Sequence, residues 1–202
     1  MKRNLLLAIL FLLILCIPLF FFMKRIYAIK YQEHALQIMN SSFMDSDSIQ
    51  AEAFKKINLA IRLSPRNDIF YVTKSEMHFK LKQYQQAINE LEKIEKFKSN
   101  YAEGQIFQGV IYDILQKSDS AFIQYTAALN SLNYRIGRYK NDSILLEAAE
   151  INRLYLYCLL NDTLQFQLEL KRLENIYHGE PSLESLANCD KIDLINSYFT
   201  SE

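Results

Sequence analysis

The sequence predicts an all-α fold, a solenoid of antiparallel helical hairpins preceded by one transmembrane helix. Three observations carry this. Ala53, Ala87 and Ala121 stand 34 residues apart, and three more columns keep the interval: Ser41, Ser75 and Gly109; Ile57, Leu91 and Tyr125; Ala60, Ile94 and Ala128. A period of that length belongs to a helix-turn-helix unit, which buries its apolar face only by stacking on its neighbours. Four glycines and three prolines in 202 residues leave few helix breaks, and nothing alternates between turn signals as strands would. Finally, residues 5–23 form an uncharged apolar run closed by Lys24 and Arg25.

That run comes first in the chain. At about 1.5 Å per residue it spans roughly 28 Å, close to the hydrocarbon thickness of a bilayer, where a helix satisfies its own backbone groups. The competing reading is a cleavable signal peptide, whose apolar core is about 7–15 residues long and ends in small residues. Here the run ends in Phe20, Phe21, Phe22 and Met23, and the nearest cut, after Ala28, lies past two cations. Residues 1–25 therefore read as an uncleaved anchor. Cys16 follows Leu15, where a lipidated cysteine would follow a small residue. Cations flank both ends, and long domains translocate largely regardless of charge, which places the amino terminus inside and the repeats outside. The expected localisation is a single-pass protein of a bacterial inner membrane, its C-terminal domain periplasmic. Pro18 predicts a kink. Residues 24–40 contain no glycine, proline or serine, so the helix is expected to continue without a joint into the first repeat helix, carrying Ile26, Tyr31, Ala35 and Ile38.

Residues 26–66 form the first hairpin. Its opening helix ends near Phe43 and Met44, Asp45-Ser46-Asp47-Ser48 supplies the turn, and Asp47 and Gln50 are spaced as a capping pair for a helix reaching Leu63. Ser64-Pro65-Arg66-Asn67 stops it. The second hairpin, 67–100, has an opening helix over 68–81, a turn at Lys82-Gln83 and a closing helix over 84–97. The third, 101–133, repeats the layout with helices over 101–115 and 118–129 around Gln116-Lys117. The small columns let two helices approach closely, and the large residue one turn further fills the space between neighbouring hairpins.

In these residues the chain resembles the tetratricopeptide repeat. Gly109, Tyr112, Ala121 and Tyr125 match its small, aromatic, alanine and large apolar positions in the third unit; Ser75, Ala87 and Leu91 match in the second, and Ala53, Ile57, Ala60 and Pro65 in the first. The sequence departs from the pattern in having no tryptophan, in placing His78 and Met44 where Tyr112 shows the aromatic, and in repeating Pro65 nowhere. The resemblance covers residues 34–133 well. It implies a right-handed solenoid whose opening helices line a concave, protein-binding groove. By that geometry the groove residues are Ile38, Ser42, Ile69, Val72, Glu76, Phe79, Ile106, Val110, Asp113, Ile151 and Tyr155. Chaperone-binding members of the family hold a carboxyl terminus with lysines and asparagines, which this set lacks. The implied guest is an apolar helix or extended protein segment, and ordinary inter-helix packing is the alternative role for these aliphatics.

Beyond Leu129 the period slips by about eleven residues, and residues 134–142 read as an inserted loop. Its three cations among tyrosines are too few to argue for nucleic acid or lipid headgroups, and a solvated linker is expected. Residues 143–178 make a divergent fourth hairpin, with Asp162 and Gln165 as its capping pair and Phe166 where the small alanine would stand. Its turn, Leu160-Asn161-Asp162-Thr163, echoes those at Leu81 and Leu115. Gly179-Glu180-Pro181 ends it, and residues 179–202 read as one or two capping helices that turn Leu183, Leu186, Ile192, Leu194 and Ile195 to the last hairpin.

Chemistry is sparse. Acidic and basic residues number 23 each, and the part after Met23 loses only Lys2 and Arg3, so no nucleic-acid partner is expected. His34, His78 and His178 each stand without a ligand or base at helical spacing, and there is no phosphate loop, nucleophile elbow or Cys-x-x-Cys. No catalytic, cofactor or metal residues are assigned. His78 reads as a packed histidine in the aromatic slot rather than a pH-sensitive contact. Glu90-Leu91-Glu92 and Glu147 to Glu150 read as solvated helix faces. Cys158 and Cys189 show no disulfide framework; they can pair if the domain is exported, and isolated buried thiols are expected. The resulting expectation is a non-enzymatic, membrane-anchored scaffold for protein–protein interaction in an envelope assembly. A cleaved, exported form and a cytoplasmic-facing regulator or sensor are the alternatives.

Overall fold

The computed structural model describes the backbone of residues 2–200 apart from 42, 44, 45 and 188, and the side chains of residues 16–197 with the same exceptions. Among the described residues every regular element is an α-helix. Helices α1 (Lys2–Ser41), α2 (Asp47–Leu63), α3 (Asp68–Lys80) and α4 (Tyr84–Glu95) are followed by α5 (Ala102–Ile114), α6 (Ser118–Arg138), α7 (Ser143–Leu159) and α8 (Thr163–Ile176), with short α9 (Pro181–Leu186) and α10 (Lys191–Thr200) at the end. The chain forms two compact units, residues 1–90 and 91–202.

In the first unit α1 runs unbroken through Pro18, without the joint whose absence the sequence predicted. Its Ala28, Ala35 and Met39, with Phe43 beyond its end, pack against Ala53, Ile57 and Ala60 of α2 and Phe70 and Met77 of α3. The cap of α2 lies one residue earlier than Asp47: Ser46 Oγ accepts from the Ile49 amide at 3.3 Å, which leaves Asp47 in the first turn, where the helix dipole favours its charge. On α3, Ser75 is fully buried and its Oγ donates to the Ala87 carbonyl at 3.0 Å. The small column therefore places a serine hydroxyl directly on the backbone of the facing helix. Ser41 is the exception. It is exposed at the end of α1, its hydroxyl turned back to the Gln37 carbonyl.

The expected membrane span needs correction. Among the described residues no helix is long and apolar enough to cross a membrane. The side chains of residues 5–15 lie outside the described residues, and the described part of the apolar run, residues 16–23, covers only about 12 Å of helix, well short of the roughly 30 Å a bilayer core demands. Charge follows at once with Lys24, Arg25, Lys30 and Glu33 on the same helix. An anchor over residues 1–25 and the single-pass localisation built on it do not stand.

In the second unit Gly109, Ala121, Tyr125 and Ala128 are buried where α5 meets α6, joined by Leu132 of α6 and Ala149, Leu156 and Leu159 of α7. Leu91 and Ile94, from the end of α4, are also buried. Tyr112 packs against this core while remaining partly exposed. The expected loop at 134–142 is mostly helix, because α6 continues through Arg138 and only residues 139–142 connect it to α7. Arg135 explains the continuation: its guanidinium forks onto the Glu103 carboxylate and reaches the Asn100 carbonyl at 3.0 Å, tying the end of α6 to the start of α5.

Three hairpin turns share one backbone conformation. Lys82, Gln116 and Asn161 have φ of 57°, 57° and 56°, in the left-handed region that non-glycine residues rarely adopt. In each, the next amide reaches back to close the helix end: Gln83 N to His78 O, Lys117 N to Tyr112 O and Asp162 N to Tyr157 O, at 2.9, 2.9 and 3.0 Å. Asp162 Oδ1 then accepts from the Gln165 amide at 3.1 Å, so the capping pair read from the sequence is formed. The common turn makes the fourth hairpin a member of the series despite Phe166.

Two outcomes test this packing. A Cβ on Gly109 would lie 2.6 Å from Tyr125 Cδ1. Gly109→Ala should therefore lose about 1–2 kcal/mol, although alanine brings about 1 kcal/mol of helix propensity. In a Tyr125→Leu background the same change should become neutral or stabilising, which paired urea denaturations would show. Gln116→Gly should raise stability by about 0.5–1 kcal/mol, because glycine enters the left-handed region without the steric cost glutamine bears; an unchanged or lower urea midpoint contradicts the turn assignment.

Candidate interaction surface

In the first unit the expected groove residues rise along one face of α3. Ile69 is 56% exposed, Val72 and Glu76 are half-buried, and Phe79 is buried with its ring edge-on to Tyr84 at 5.7 Å. Spacings of three and four residues keep the four on one stripe. Ile38 is half-buried on α1 and packs against the core of this unit; Ser42 lies outside the described residues. Burial pushes the Glu76 carboxyl above the ordinary carboxylate range, against the pull of the Lys80 charge one turn on. Beside this stripe Gln32 donates to Thr73 at 3.2 Å, joining α1 to α3. His78 is half-buried, stacks on Phe54 with ring centroids 4.7 Å apart, and its Nδ1 lies 2.7 Å from Gln83 Oε1.

In the second unit Val110 is fully buried and Ile106 nearly so, both within the α5–α6–α7 core. Ile151 and Tyr155 are half-buried against a second cluster of Leu154, Cys158, Phe166, Leu170 and Leu173. Asp113 is the polar centre of this face. Tyr125 donates its hydroxyl to Asp113 Oδ2 at 2.8 Å, and Lys191 Nζ approaches the same oxygen at 2.9 Å while lying 5.4 Å from the centre of the Tyr125 ring. Lys191 opens α10, whose Leu194 and Ile195 pack against the core formed by α5, α6 and α7. The chain's own last helix thus sits at a position expected to receive a guest.

Sequence reading missed three features, one in the first unit and two in the second. Cys158 and Cys189 are joined in a disulfide across a separation of 31 residues, which corrects the expectation of isolated thiols. The only available signal was that these two cysteines stand apart from Cys16. Glu90 and Glu150 are only 5% and 6% exposed, which overturns their reading as solvated faces. In the first unit Glu90 pairs with Lys74 at 2.9 Å. In the second, Glu150 accepts from Arg172 at 2.7 Å and from the Tyr177 hydroxyl at 2.8 Å, while Glu169 binds both Arg172 and Arg153. Burial, then the Glu150 hydrogen bond and charge, push the Tyr177 hydroxyl up to about 12. Burial works upward on Glu169 as well, but the hydrogen bonds and charges of Arg172 and Arg153 outweigh it and hold the carboxyl below its ordinary range.

Among the described residues no three His, Cys, Asp or Glu side chains converge as a metal set. A cleft of about 390 Å³ opens beside the disulfide, lined by Tyr157, Cys158, Asn161, Phe166, Cys189 and Lys191 among others. What the surface offers is shape, apolar contact and a few buried charges.

No protein-family model matches the chain, and no curated protein does. Two solved structures of MamA are similar to it. One matches at 16% identity over 73% of this chain and 79% of its own length, the other at 15% over 76% and 78%, each with a TM-score of 0.48.

The charge network and the disulfide give two predictions. Glu169 has a depressed folded pKa, so its contribution to stability is present above the unfolded carboxylate value of about 4.3 and is lost as pH falls through the folded value. Glu169→Gln should cost about 1–3 kcal/mol at pH 7 and flatten the loss of stability between pH 5 and pH 3; parallel acid slopes for variant and parent would refute this role. Replacing both Cys158 and Cys189 with serine should cost about 3.5 kcal/mol from loop-closure entropy, measured as a shift in urea midpoint that reduction of the parent reproduces.

Proposed function

We propose that the chain is a protein-interaction scaffold whose opening helices take an apolar helix or extended segment of a protein partner. The observation that carries this is the α3 stripe, where exposed Ile69 and half-buried Val72 continue into half-buried Glu76. A peptide with aliphatic side chains at three- and four-residue spacing would cover that stripe, and a cation on it would meet Glu76. The helical hairpins supply a rigid frame for such a surface, since α3 and α5 are each held by a small-column contact to the closing helix. The reading is non-enzymatic: the buried and half-buried acids Glu90, Glu150, Glu169 and Asp113 are engaged in ion pairs that join helices.

The disulfide favours a second reading about setting. Bonds of this kind persist in oxidising compartments, so an exported scaffold accounts for Cys158 and Cys189 better than one that faces the cytoplasm. Thiol alkylation in intact cells, followed by mass measurement, decides it; both cysteines alkylated at steady state would rule this setting out.

A photocrosslinking residue placed at Ile69 or Val72 should capture a discrete partner, and Ile69→Asp should cut capture from Val72 at least tenfold without changing helix content by circular dichroism. Equal capture of the same species from exposed Lys55 on closing helix α2 would sink the assignment of this face.

A further inference from the structure

Three facts about the end of the chain belong together. Lys191 pairs with Asp113 and lies over Tyr125, and Leu194 and Ile195 rest on the α5–α6–α7 core. Leu194 also touches the neighbouring cluster of Leu154 and Phe166, so among its described side chains α10 is seated through one cation and two adjacent aliphatics. Its outward residues Ile192 and Asp193 are exposed. Second, α10 has ten residues, too few to be helical by itself, so its helicity depends on being docked. Third, the Cys158–Cys189 bond fastens the chain two residues before Lys191, and the cleft beside it gives access to both cysteines.

We propose that α10 is a resident, self-supplied ligand of the second unit's interaction surface, latched by Cys158–Cys189 and released when a dithiol reductant opens that bond. The proposal rests on the scaffold reading and deepens it: the freed surface, centred on Asp113, takes a partner helix that presents a cation three residues before two adjacent aliphatics, the spacing α10 itself shows. Cys189 is the more exposed of the two residues. A thiolate of the reductant attacks Cys189 Sγ, the S–S bond breaks, and Cys158 leaves as a thiolate that takes up a proton. The reductant's second thiolate then attacks the mixed disulfide and expels Cys189, which is protonated in turn. Two electrons pass to the protein cysteines and the reductant closes its own disulfide. Helix α9 stays docked through buried Leu183 and Leu186. The loosened segment therefore begins after it, and α10 swings on a short tether.

The test uses the full chain, oxidised and then reduced with dithiothreitol, in amide hydrogen exchange. Exchange of residues 192–197 should speed at least tenfold on reduction, while α5, α6 and α9 keep their protection; reoxidation should restore the slow exchange. A fluorescent peptide with the sequence of residues 190–200 should bind the reduced chain at least tenfold more tightly than the oxidised one, and Asp113→Asn should remove that gain. The Cys158→Ser/Cys189→Ser chain should behave as the reduced protein does, and if it fails to fold, the reduced parent gives the same comparison. Equal exchange of α10 in both redox states, or a peptide that binds both states alike or neither, overturns the proposal. Failure of the two readings is separable: a chain that crosslinks a partner through α3 yet keeps α10 protected after reduction loses only the latch. One that releases α10 and binds the peptide but captures nothing through α3 loses only the α3 surface.

Discussion

The second and third hairpins depend on the contact between a small residue on the opening helix and the facing closing helix. At Ser75 the contact is a hydroxyl donating to the Ala87 carbonyl, and at Gly109 it is a bare Cα against the ring of Tyr125. The second case has the longer reach. With no Cβ at Gly109 the ring lies close against α5, and from there its hydroxyl reaches Asp113 on the same helix. The oriented carboxylate then receives Lys191 from α10. A packing choice at one residue thus fixes the direction of an acid one turn away and the landing place of the chain's last helix. Packing of this kind tolerates little change, because interiors have few voids into which an added methyl group can relax.

The fourth hairpin solves the same problem by other means. Phe166 occupies the place of the small alanine and is buried in a cluster with Leu154, Cys158 and Leu170. In place of a close helix approach, α7 and α8 are joined by Glu150, Arg153, Glu169 and Arg172, with Asn133 and Tyr177 at the edges. Such networks are costly to desolvate and contribute more to fixing which side chain meets which than to net stability. Arg153 shows that cost, since its Nε is buried without a hydrogen-bond partner. The divergent hairpin is thus held by directional charge beside its apolar cluster, where the regular ones rely on close approach, and the disulfide ties α7 to the segment after α9.

What the sequence made legible was local and periodic. The 34-residue columns correspond to buried residues at nearly every position, and the hairpin turns at Lys82, Gln116 and Asn161 recur with one backbone geometry. Those features follow from short-range rules, helical spacing and helix termination, that a single chain displays openly. Ser41 departs because it stands at the end of its helix and faces solvent. The faces of Glu90 and Glu150 were misjudged because acidic residues on helices are usually solvated, and only the placement of Lys74 and Arg172 on neighbouring helices reveals that they are paired. Residues 134–138 were misread because a slipped period resembles an insertion, whereas the helix there is held by Arg135 reaching back 32 residues to Glu103. Pairings at such separations, the Cys158–Cys189 bond and the Lys191–Asp113 contact among them, leave no spacing signature in the chain.

The expected groove therefore divides by accessibility. Ile69 and Val72 in the first unit are open or half-open to solvent. In the second, Ile106 and Val110 belong to the core, and Asp113 is already occupied by Lys191. A site that must bind a partner cannot also be a hydrophobic core, because opening a core forfeits the burial that folds the unit. A part of the second unit's surface that can be exchanged without that loss is one covered by a short helix. Helix α10 meets that description: among its described side chains, two aliphatics and one ion pair hold it. That pair is largely shielded, with the Lys191 and Asp113 side chains 24% and 10% exposed, so the cost of desolvating both charges offsets much of their attraction. The disulfide turns this weak seat into a fixed one by keeping the helix beside its surface, and the strength of the whole contact then rests on the state of two sulfur atoms.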